Sequence, residues 1–294
     1  MSYHIYTENN KELKLSDILQ SEHLPTNVAI AFGQLEDEII NGYSKLYIPH
    51  QSSRGVVITK DDTEYDIELN IGSSKEDYHL ASKIALALGT LNNSKISPEF
   101  DESLSLNEFE KKYDTAWAEE SQSIGVSTLI SIVKEKSPIV KINGCKRGYY
   151  FGENMINEFS IDNPDEKQFT ERLVENIRRI QFIEDLNEDL NIPSLMEADF
   201  PEGVKTFIVV PPEFKLLLLK SDFIVLNDNK NVLKVEANKF IDILNTKSML
   251  ERLDEEQYIM NPIKTSDYAE LMALFNKEQP QKEKKNKKSW KFWK

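Results

Sequence analysis

The chain has 294 residues, of which 39% are hydrophobic and 29% charged, and its formal net charge at pH 7 is −14. This length suits one large domain or two modest ones. With 14 Phe and 11 Tyr to fill a core, the composition excludes a disordered body. An acidic body also repels phosphates, which disfavours direct binding of DNA or RNA by the body.

The sequence contains one cysteine, Cys145, which excludes an intrachain disulfide and fits a reducing compartment. Residues 1–15 lack the basic and apolar pattern of a signal peptide. The strongest apolar run, residues 206–219, is interrupted by two prolines and two charged residues. It is shorter than the roughly 20 apolar residues that a membrane span needs. The sequence therefore predicts a cytoplasmic protein.

The first third of the chain alternates short strands with short helices. A short helix is predicted to open at Ser16 and another to cover residues 34–40. Residues 64–69 alternate apolar Tyr65, Ile67 and Leu69 with acidic residues, the period-2 pattern of a half-buried strand. The other strands are predicted at residues 3–6, 28–32, 45–48 and 55–59.

Two capping boxes, in which a Ser precedes an acidic residue by three positions, predict helix starts. These boxes are Ser74 with Asp77 and Ser105 with Glu108. The first helix is predicted to end near Gly89, and the second to reach Trp117. The polar stretch between them, residues 92–103, is predicted to be a long loop or a domain boundary.

The second half of the chain opens with a predicted helix at residues 128–136. Asn143-Gly144 then predicts a β-hairpin with a tight type I′ turn, since both residues tolerate positive φ angles. Asn163-Pro164 predicts the longest helix at residues 165–186, with Pro at its first position. Further strands are predicted at residues 207–210, 214–219, 223–226 and 232–235, and further helices at 237–244 and 266–275.

Strand-rich and helix-rich stretches occur in both halves, without strict alternation of strands and helices. This pattern favours an α+β fold, with mixed or antiparallel sheets and packed helices in one unit or two subdomains, over a doubly wound parallel sheet. The predicted division is an N-terminal α+β region at 1–98, a helical connection at 99–135, a C-terminal α+β region at 136–276 and a disordered basic tail at 277–294.

The tail, residues 277–294, carries eight Lys against two Glu, whereas the body carries 28 Lys and Arg against 48 Asp and Glu. Lysines near an anionic membrane contribute about 1 kcal/mol each, and Trp and Phe suit the headgroup level. The aromatic residues would equally anchor a peptide that docks on a partner protein. A third alternative is a solubilising end that folds back on the acidic body. The candidate membrane- or partner-binding residues are Lys284, Lys285, Lys287, Lys288, Trp290, Lys291, Phe292, Trp293 and Lys294.

The sequence predicts no cofactor and no metal. The four histidines, His4, His23, His50 and His79, lack metal-site spacing. Residues 72–74 have neither a phosphate-loop lysine nor a GxGxxG pattern, so helix capping explains them. The acidic groupings do not match a calcium loop and are interpreted as solvated faces.

Cys145 is followed by Lys146 and Arg147. Their charges would favour a thiolate, but no base can be located beside the cysteine in the sequence. A catalytic role for Cys145 is therefore disfavoured.

These observations favour a non-catalytic protein-binding or adaptor module whose tail attaches to an anionic membrane surface or to a partner. One alternative is an acidic immunity- or inhibitor-type protein that binds a basic partner. Another is an enzyme whose site is assembled from scattered carboxylate, Tyr or His residues. A deep pocket with convergent polar groups would favour the enzyme, and a flat exposed aromatic patch would favour the binding module.

Overall fold

The computed structural model describes residues 2–31, 34–40 and 42–278. It confirms the predicted α+β class, with antiparallel and mixed sheets and packed helices. The chain divides into two compact units. Unit 1 comprises residues 1–188 with Leu253–Glu255, and unit 2 comprises Asp189–Arg252 with the chain from Glu256 onward.

Unit 1 contains strands β1–β8 and helices α1–α7. The strands are β1 (Ser2–Glu8), β2 (Ala29–Ile30), β3 (Gly42–Tyr47), β4 (Val56–Lys60), β5 (Glu64–Asn70), β6 (Ile96–Pro98), β7 (Ile139–Asn143) and β8 (Gly148–Gly152). The helices are α1 (Leu15–Leu19), α2 (Lys75–Asn92), α3 (Leu106–Lys112), α4 (Thr115–Glu135), α5 (Glu153–Phe159), α6 (Glu166–Gln181) and α7 (Ile183–Leu186).

The main sheet of unit 1 is antiparallel, with strand order β2-β3-β4-β5-β1-β6. One face packs on α2, and the core between them includes Ile5, Tyr65, Ile67, Ile84 and Leu88, all fully buried. The alternation predicted for residues 64–69 is confirmed, because the odd-numbered residues of β5 are buried and the even-numbered ones partly exposed.

Both capping boxes are present at the predicted residues, on α2 and on α3. However, α2 runs past Gly89 to Asn92, and Asn93 ends it in a left-handed conformation. Gly89 lies inside the helix, and a Cβ at this position would come within 2.7 Å of the Leu106 side chain. The glycine therefore permits α3 to approach α2 and does not end the helix.

Three sequence-based predictions in unit 1 are wrong because tertiary pairing overrides the local pattern. Residues 34–40 are not helical, and Ile39 instead forms an isolated bridge with Lys14. The polar stretch 92–103 is not a simple loop, because it contains β6, which pairs with β1. The helix after Ser105 ends at Lys112, and α4 begins afresh with Asp114 as its cap.

The hairpin of β7 and β8 is confirmed, but its turn is not the predicted type I′ turn. The strands are separated by four residues, 144–147, and Gly144 does not adopt a positive φ angle. The helix predicted at 165–186 is also shorter than expected, because α6 ends at Gln181 and α7 follows. Asp165 caps α6, so Pro164 precedes the cap and does not occupy the first helical position.

Unit 2 contains eight strands and two helices among its described residues. The strands are β9 (Leu190–Asn191), β10 (Met196–Phe200), β11 (Gly203–Val210), β12 (Lys215–Leu218), β13 (Phe223–Asn227), β14 (Val232–Glu236), β15 (Leu250–Arg252) and β16 (Tyr258–Met260). The helices are α8 (Ala237–Thr246) and α9 (Thr265–Glu278). Two four-stranded sheets form, with orders β10-β11-β13-β14 and β15-β16-β12-β9. Residues of both sheets and both helices form the hydrophobic core of unit 2.

The boundary between the units does not coincide with the division predicted at 99–135. That segment lies within unit 1, where Phe109 of α3 and Ala118 of α4 join the same core as α2. Polar composition is therefore a poor guide to the boundary here, because the polar residues cover the outside of packed helices.

Candidate functional site

The face of the main sheet opposite α2 is the most distinctive surface of unit 1, and we call it the outer face. Side chains alternate between the two faces of a strand, so the strand register identifies its members. The outer face comprises Ser2, His4, Tyr6, Glu8, Tyr43, Thr59, Glu64, Asp66 and Glu68.

One end of this sheet face is covered by the loop that joins β7 and β8. Lys45 and Val57 continue the outer-face row of His4 and Glu68, but both are buried. Lys45 Nζ donates a hydrogen bond to the Gly144 carbonyl at 2.8 Å, and burial lowers the pKa of Lys45. The rest of the face, on β1 and β5, stays partly exposed. Tyr43 of β3 lies in the same row as Tyr6 and Asp66 and is 50% exposed.

The exposed end concentrates negative charge. Glu8 and Glu64 lie directly opposite each other on paired strands, an arrangement that is unfavourable for like charges. The pKa of Glu64 is raised by partial burial and then by repulsion from Asp61 and Asp66. The pKa of Asp66 is raised by burial, with Glu68 adding to the rise and His4 opposing it. These carboxylates therefore repel one another.

Two tyrosines lie among these carboxylates. Burial raises the pKa of Tyr6, and Asp66 raises it further. Burial and then Glu68 raise the pKa of Tyr43. Both phenols consequently stay protonated at neutral pH and offer a donor and an aromatic ring. The His4 ring stacks on Tyr6 with centroids 6.0 Å apart.

Ser2, His4 and Asp66 form a hydrogen-bonded relay on the outer face. Ser2 Oγ lies 2.7 Å from His4 Nε2, and His4 Nδ1 lies 2.9 and 3.0 Å from the two oxygens of Asp66. An ionised carboxylate only accepts hydrogen bonds, so Nδ1 carries the proton. In neutral His4, Nε2 therefore accepts the hydrogen bond of the Ser2 hydroxyl.

Beneath this surface, the carboxylate of Asp77 fixes the loop between β3 and β4. It is fully buried and accepts hydrogen bonds from Ser53 N and Oγ, Arg54 N, Gly55 N and Ser74 N at 2.9–3.1 Å. The first N–H of α2, on Lys75, donates instead to Gln122 Oε1 at 2.6 Å. The backbone N–H groups of Ser73, Ser74 and Lys75 thus have acceptors within the protein, in agreement with the capping interpretation.

Cys145 lies in the covering loop and has the properties of a core residue. Burial raises the pKa of its thiol to about 12, despite the opposing effect of Lys45. Its Sγ donates to the Ser52 carbonyl at 3.7 Å. Lys146 also lowers this pKa, but burial outweighs its effect, and the side chains of Lys146 and Arg147 pair with Glu184.

The other titratable residues from the sequence are dispersed. His23 contacts Thr90, and His50 lies 3.6 Å from Asp185. Burial, followed by Lys83, lowers the pKa of His79. The described residues contain no group of three or more His, Cys, Asp or Glu arranged to hold a metal ion.

One acidic grouping does not form the solvated face that its sequence indicates. Asp254 is fully buried and accepts a hydrogen bond from Tyr150 N at 2.9 Å. Glu255 accepts from Met155 N at 2.9 Å and from Asn154 Nδ2 at 2.7 Å. These contacts hold residues 253–255 within unit 1.

Two open cavities among the described residues of unit 1 lie away from the relay. A cavity of about 510 Å³ is bordered by α2, α4 and α6, and a second of about 420 Å³ lies at the end of α4. The larger one is lined by both acids and bases, and its Arg178 is paired with Glu175 at 2.5 Å. Neither cavity gathers several unpaired polar groups of one chemistry.

The tail residues named from the sequence lie outside the described part of the chain. They are Lys284, Lys285, Lys287, Lys288, Trp290, Lys291, Phe292, Trp293 and Lys294. Among the described residues, no helix combines the length and the apolar character that crossing a membrane requires.

The sequence analysis did not predict that the outer-face residues lie together on one face of a sheet. The alternation in β5 placed Asp66 and Glu68 on one face, but nothing local identifies β1 as the neighbouring strand. The period-2 spacing of Ser2, His4, Tyr6 and Glu8 is the signal that would have identified their common face.

The comparisons with known proteins bear on unit 1. The chain matches no curated protein and no solved structure. Residues 2–183, more than half of the chain, match a family model, and this range ends close to the boundary of unit 1 at Glu188. The chain therefore belongs to the family described as Domain of unknown function (DUF4299).

Proposed function

We propose that unit 1 is a non-catalytic protein-binding module that takes a cationic, aromatic-containing segment of a partner protein on its outer face. The observation that carries the proposal is the grouping of half-exposed carboxylates and tyrosines on an antiparallel sheet. Such sheets often leave one face to solvent, but this face concentrates a single sign of charge.

Lys and Arg side chains match both kinds of group on this face. Carboxylates make strong, charge-assisted hydrogen bonds with them, and tyrosine rings attract cations. A bound cation would also relieve the repulsion between Glu8 and Glu64. This chemistry would serve an adaptor and an inhibitor of a basic partner equally, since complementary charge mainly accelerates and orients association.

A defined peptide tests the proposal on the full chain. The probe is a synthetic dodecapeptide of four Lys-Lys-Trp repeats, and its affinity is measured by calorimetry at two salt concentrations. The variant E8Q/E64Q/E68Q removes three outer-face charges and leaves His4 and Asp66 unchanged. We expect its affinity to fall about tenfold, because each partly exposed ion pair contributes up to about 1 kcal/mol.

The matched control is E102Q/E120Q/E171Q, which removes three exposed charges elsewhere in unit 1. It should retain most of the affinity. Equal losses in the two triple variants would show that only the net charge matters, and the proposal would then be wrong.

The Ser2–His4–Asp66 relay favours a second candidate function, hydrolysis of an activated ester. It provides a nucleophile, a base and a carboxylate that orients the base. Ser2 Oγ would attack the carbonyl carbon while its proton passes to His4 Nε2. The leaving group would take that proton, and water would then hydrolyse the acyl-serine. This candidate ranks second because the two cavities described above lie elsewhere.

A fluorophosphonate probe, which labels activated serines, distinguishes the second candidate. On the full chain, mass spectrometry should locate the label on Ser2, and His4→Gln should slow labelling at least tenfold. Labelling that is absent, or that persists unchanged in His4→Gln, would leave the relay as a structural contact between β1 and β5.

A further inference from the structure

The four-stranded sheet β10-β11-β13-β14 of unit 2 has one buried face and one apolar face that is partly exposed. The buried face, which includes Ile208, Ile224 and Leu226, packs into the core with α8 and α9. The register places the opposite set of side chains together, and we call this set the aromatic face. Its apolar members are Met196, Ala198, Phe200, Phe207, Val209, Phe223, Val225 and Val232, and Lys205, Asn227, Lys234 and Glu236 lie on the same side of the sheet.

The sequences of the central strands, β11 and β13, are typical of strands that are buried on both faces of a sheet. Residues 207–210 and 223–226 are continuous apolar runs, which are typical of strands buried on both sides. Nevertheless, Phe207, Val209, Phe223 and Val225 all remain partly exposed. A contiguous apolar surface of this kind marks a contact site.

The aromatic face also holds a cation. Lys234 Nζ lies 3.4 Å from the ring centroid of Phe223 and 3.9 Å from that of Phe200. Burial lowers the pKa of Lys234, with Glu202 opposing the effect. The face therefore presents rings that already hold an ammonium group of the same unit, and it suits an occupant whose own aromatic side chains pack beside these rings.

We infer that residues 279–294 of this chain pack their aromatic end, Trp290, Phe292 and Trp293, against the aromatic face of unit 2. The aromatic residues of this segment match the apolar and aromatic character of the face. Aromatic residues bury large areas and pair favourably with other rings. The segment thus covers the apolar face that the sequences of β11 and β13 predict to be buried.

The reach of the segment allows this contact within unit 2. Trp290 follows the end of α9 at Glu278 by twelve residues, and extended backbone covers up to about 3.5 Å per residue, or about 40 Å in all. Phe275 packs into the core on the helical side of the sheet, so the segment has to pass an edge of the sheet. Packed layers are about 10 Å apart, well within that reach.

Fluorine NMR of the full chain labelled with 5-fluorotryptophan tests the inference. The chain has three tryptophans, so Trp290 and Trp293 report on the tail, and Trp117 in unit 1 reports on the fold. A labelled peptide of residues 279–294 provides the unbound reference. We expect both tail resonances of the full chain to differ from the peptide resonances by more than their linewidths, independently of protein concentration.

Ala198→Gln places an uncharged polar side chain on the aromatic face at the edge strand β10, and it should return both tail resonances to the peptide positions. Val225→Thr, which preserves side-chain shape, should shift them partway. Glu197→Ala lies on the same strand but points to the other side, and it should change nothing. In every variant the Trp117 resonance should stay in place.

Tail resonances that coincide with the peptide in the unaltered chain would overturn the inference. So would a shift that depends on concentration, since that would indicate a second copy as the occupant. A shift that survives both Ala198→Gln and Val225→Thr would place the tail on a different surface and would overturn the inference. The outer face of unit 1 is tested separately by the Lys-Lys-Trp peptide and the two triple variants.

Discussion

Asp77 shows how one residue can serve a local and a tertiary role together. As the third residue of α2 it completes the capping box with Ser74. The same carboxylate accepts hydrogen bonds from Ser53, Arg54 and Gly55, which lie more than twenty positions earlier. The loop between β3 and β4 is therefore ordered by a side chain that the sequence identifies only as a helix cap.

Replacing Asp77 by Asn should lower the free energy of unfolding by about 3 kcal/mol, because a buried donor without its acceptor costs about 1–3 kcal/mol. Urea denaturation followed by circular dichroism measures this. Glu108→Gln is the matched control, since Glu108 has the same place in the capping box of α3 but is exposed. We expect its cost to stay below about 1 kcal/mol. Equal costs would show that the contacts of Asp77 outside its own helix contribute little.

Cys145 should be unreactive towards thiol reagents in the folded protein. Burial raises its pKa to about 12, so only about one molecule in ten thousand carries a thiolate at pH 8. Labelling by a disulfide reagent at pH 8 should be at least a hundredfold slower in buffer than in denaturing urea. Fast labelling of the folded chain would indicate that the loop at residues 144–147 opens readily.

At the scale of elements, the contact between the β7–β8 loop and α6 determines the backbone conformation of the hairpin turn. Gln181 Oε1 accepts hydrogen bonds from Lys146 N at 3.0 Å and Arg147 N at 2.9 Å. A Cβ at Gly144 would overlap the Gln181 carboxamide. Glycine is required here for close approach and not for a positive φ angle, so the type I′ prediction from Asn143-Gly144 was wrong.

Gly144→Ala should destabilise the protein by about 2 kcal/mol, a typical cost of overpacking a buried site. Gln181 cannot move aside without breaking both of its hydrogen bonds to the loop. Gly148→Ala in the same hairpin is the control, because its Cβ would lie 3.2 Å from the flexible end of Lys141. Thermal denaturation should show a clear loss for the first variant and almost none for the second. A reversed order would contradict the assigned role of Gln181.

At the scale of the molecule, the contrast between an acidic body and a basic tail leads to a prediction about membranes. If the tail packs on the aromatic face, its aromatic residues are withheld from lipid. Ala198→Gln should then increase co-sedimentation with anionic vesicles several-fold relative to the unaltered chain, because the released aromatic side chains suit the headgroup level and each lysine beside them contributes about 1 kcal/mol near the surface.

A chain that ends at Glu278 should not sediment with these vesicles, and Glu197→Ala should behave as the unaltered chain does. Neutral vesicles provide the control for nonspecific adsorption. If neither the unaltered chain nor Ala198→Gln sediments with anionic vesicles, the membrane hypothesis for the tail is wrong. The tail would then be a protein-docking segment or a solubilising end.

Local patterns in the sequence were enough for the α+β class, the two capping boxes, the alternation of β5 and the contrast in charge between body and tail. Each depends on neighbours in sequence, because a cap acts over three positions and a strand alternates with period two. Tertiary structure alone decided that β1 lies beside β5, which assembles Ser2, His4 and Asp66. It also decided that residues 253–255 belong to unit 1, and that β11 and β13 leave an apolar face partly exposed. Strand pairing and burial join residues far apart in the chain, and no local pattern specifies which of them will meet.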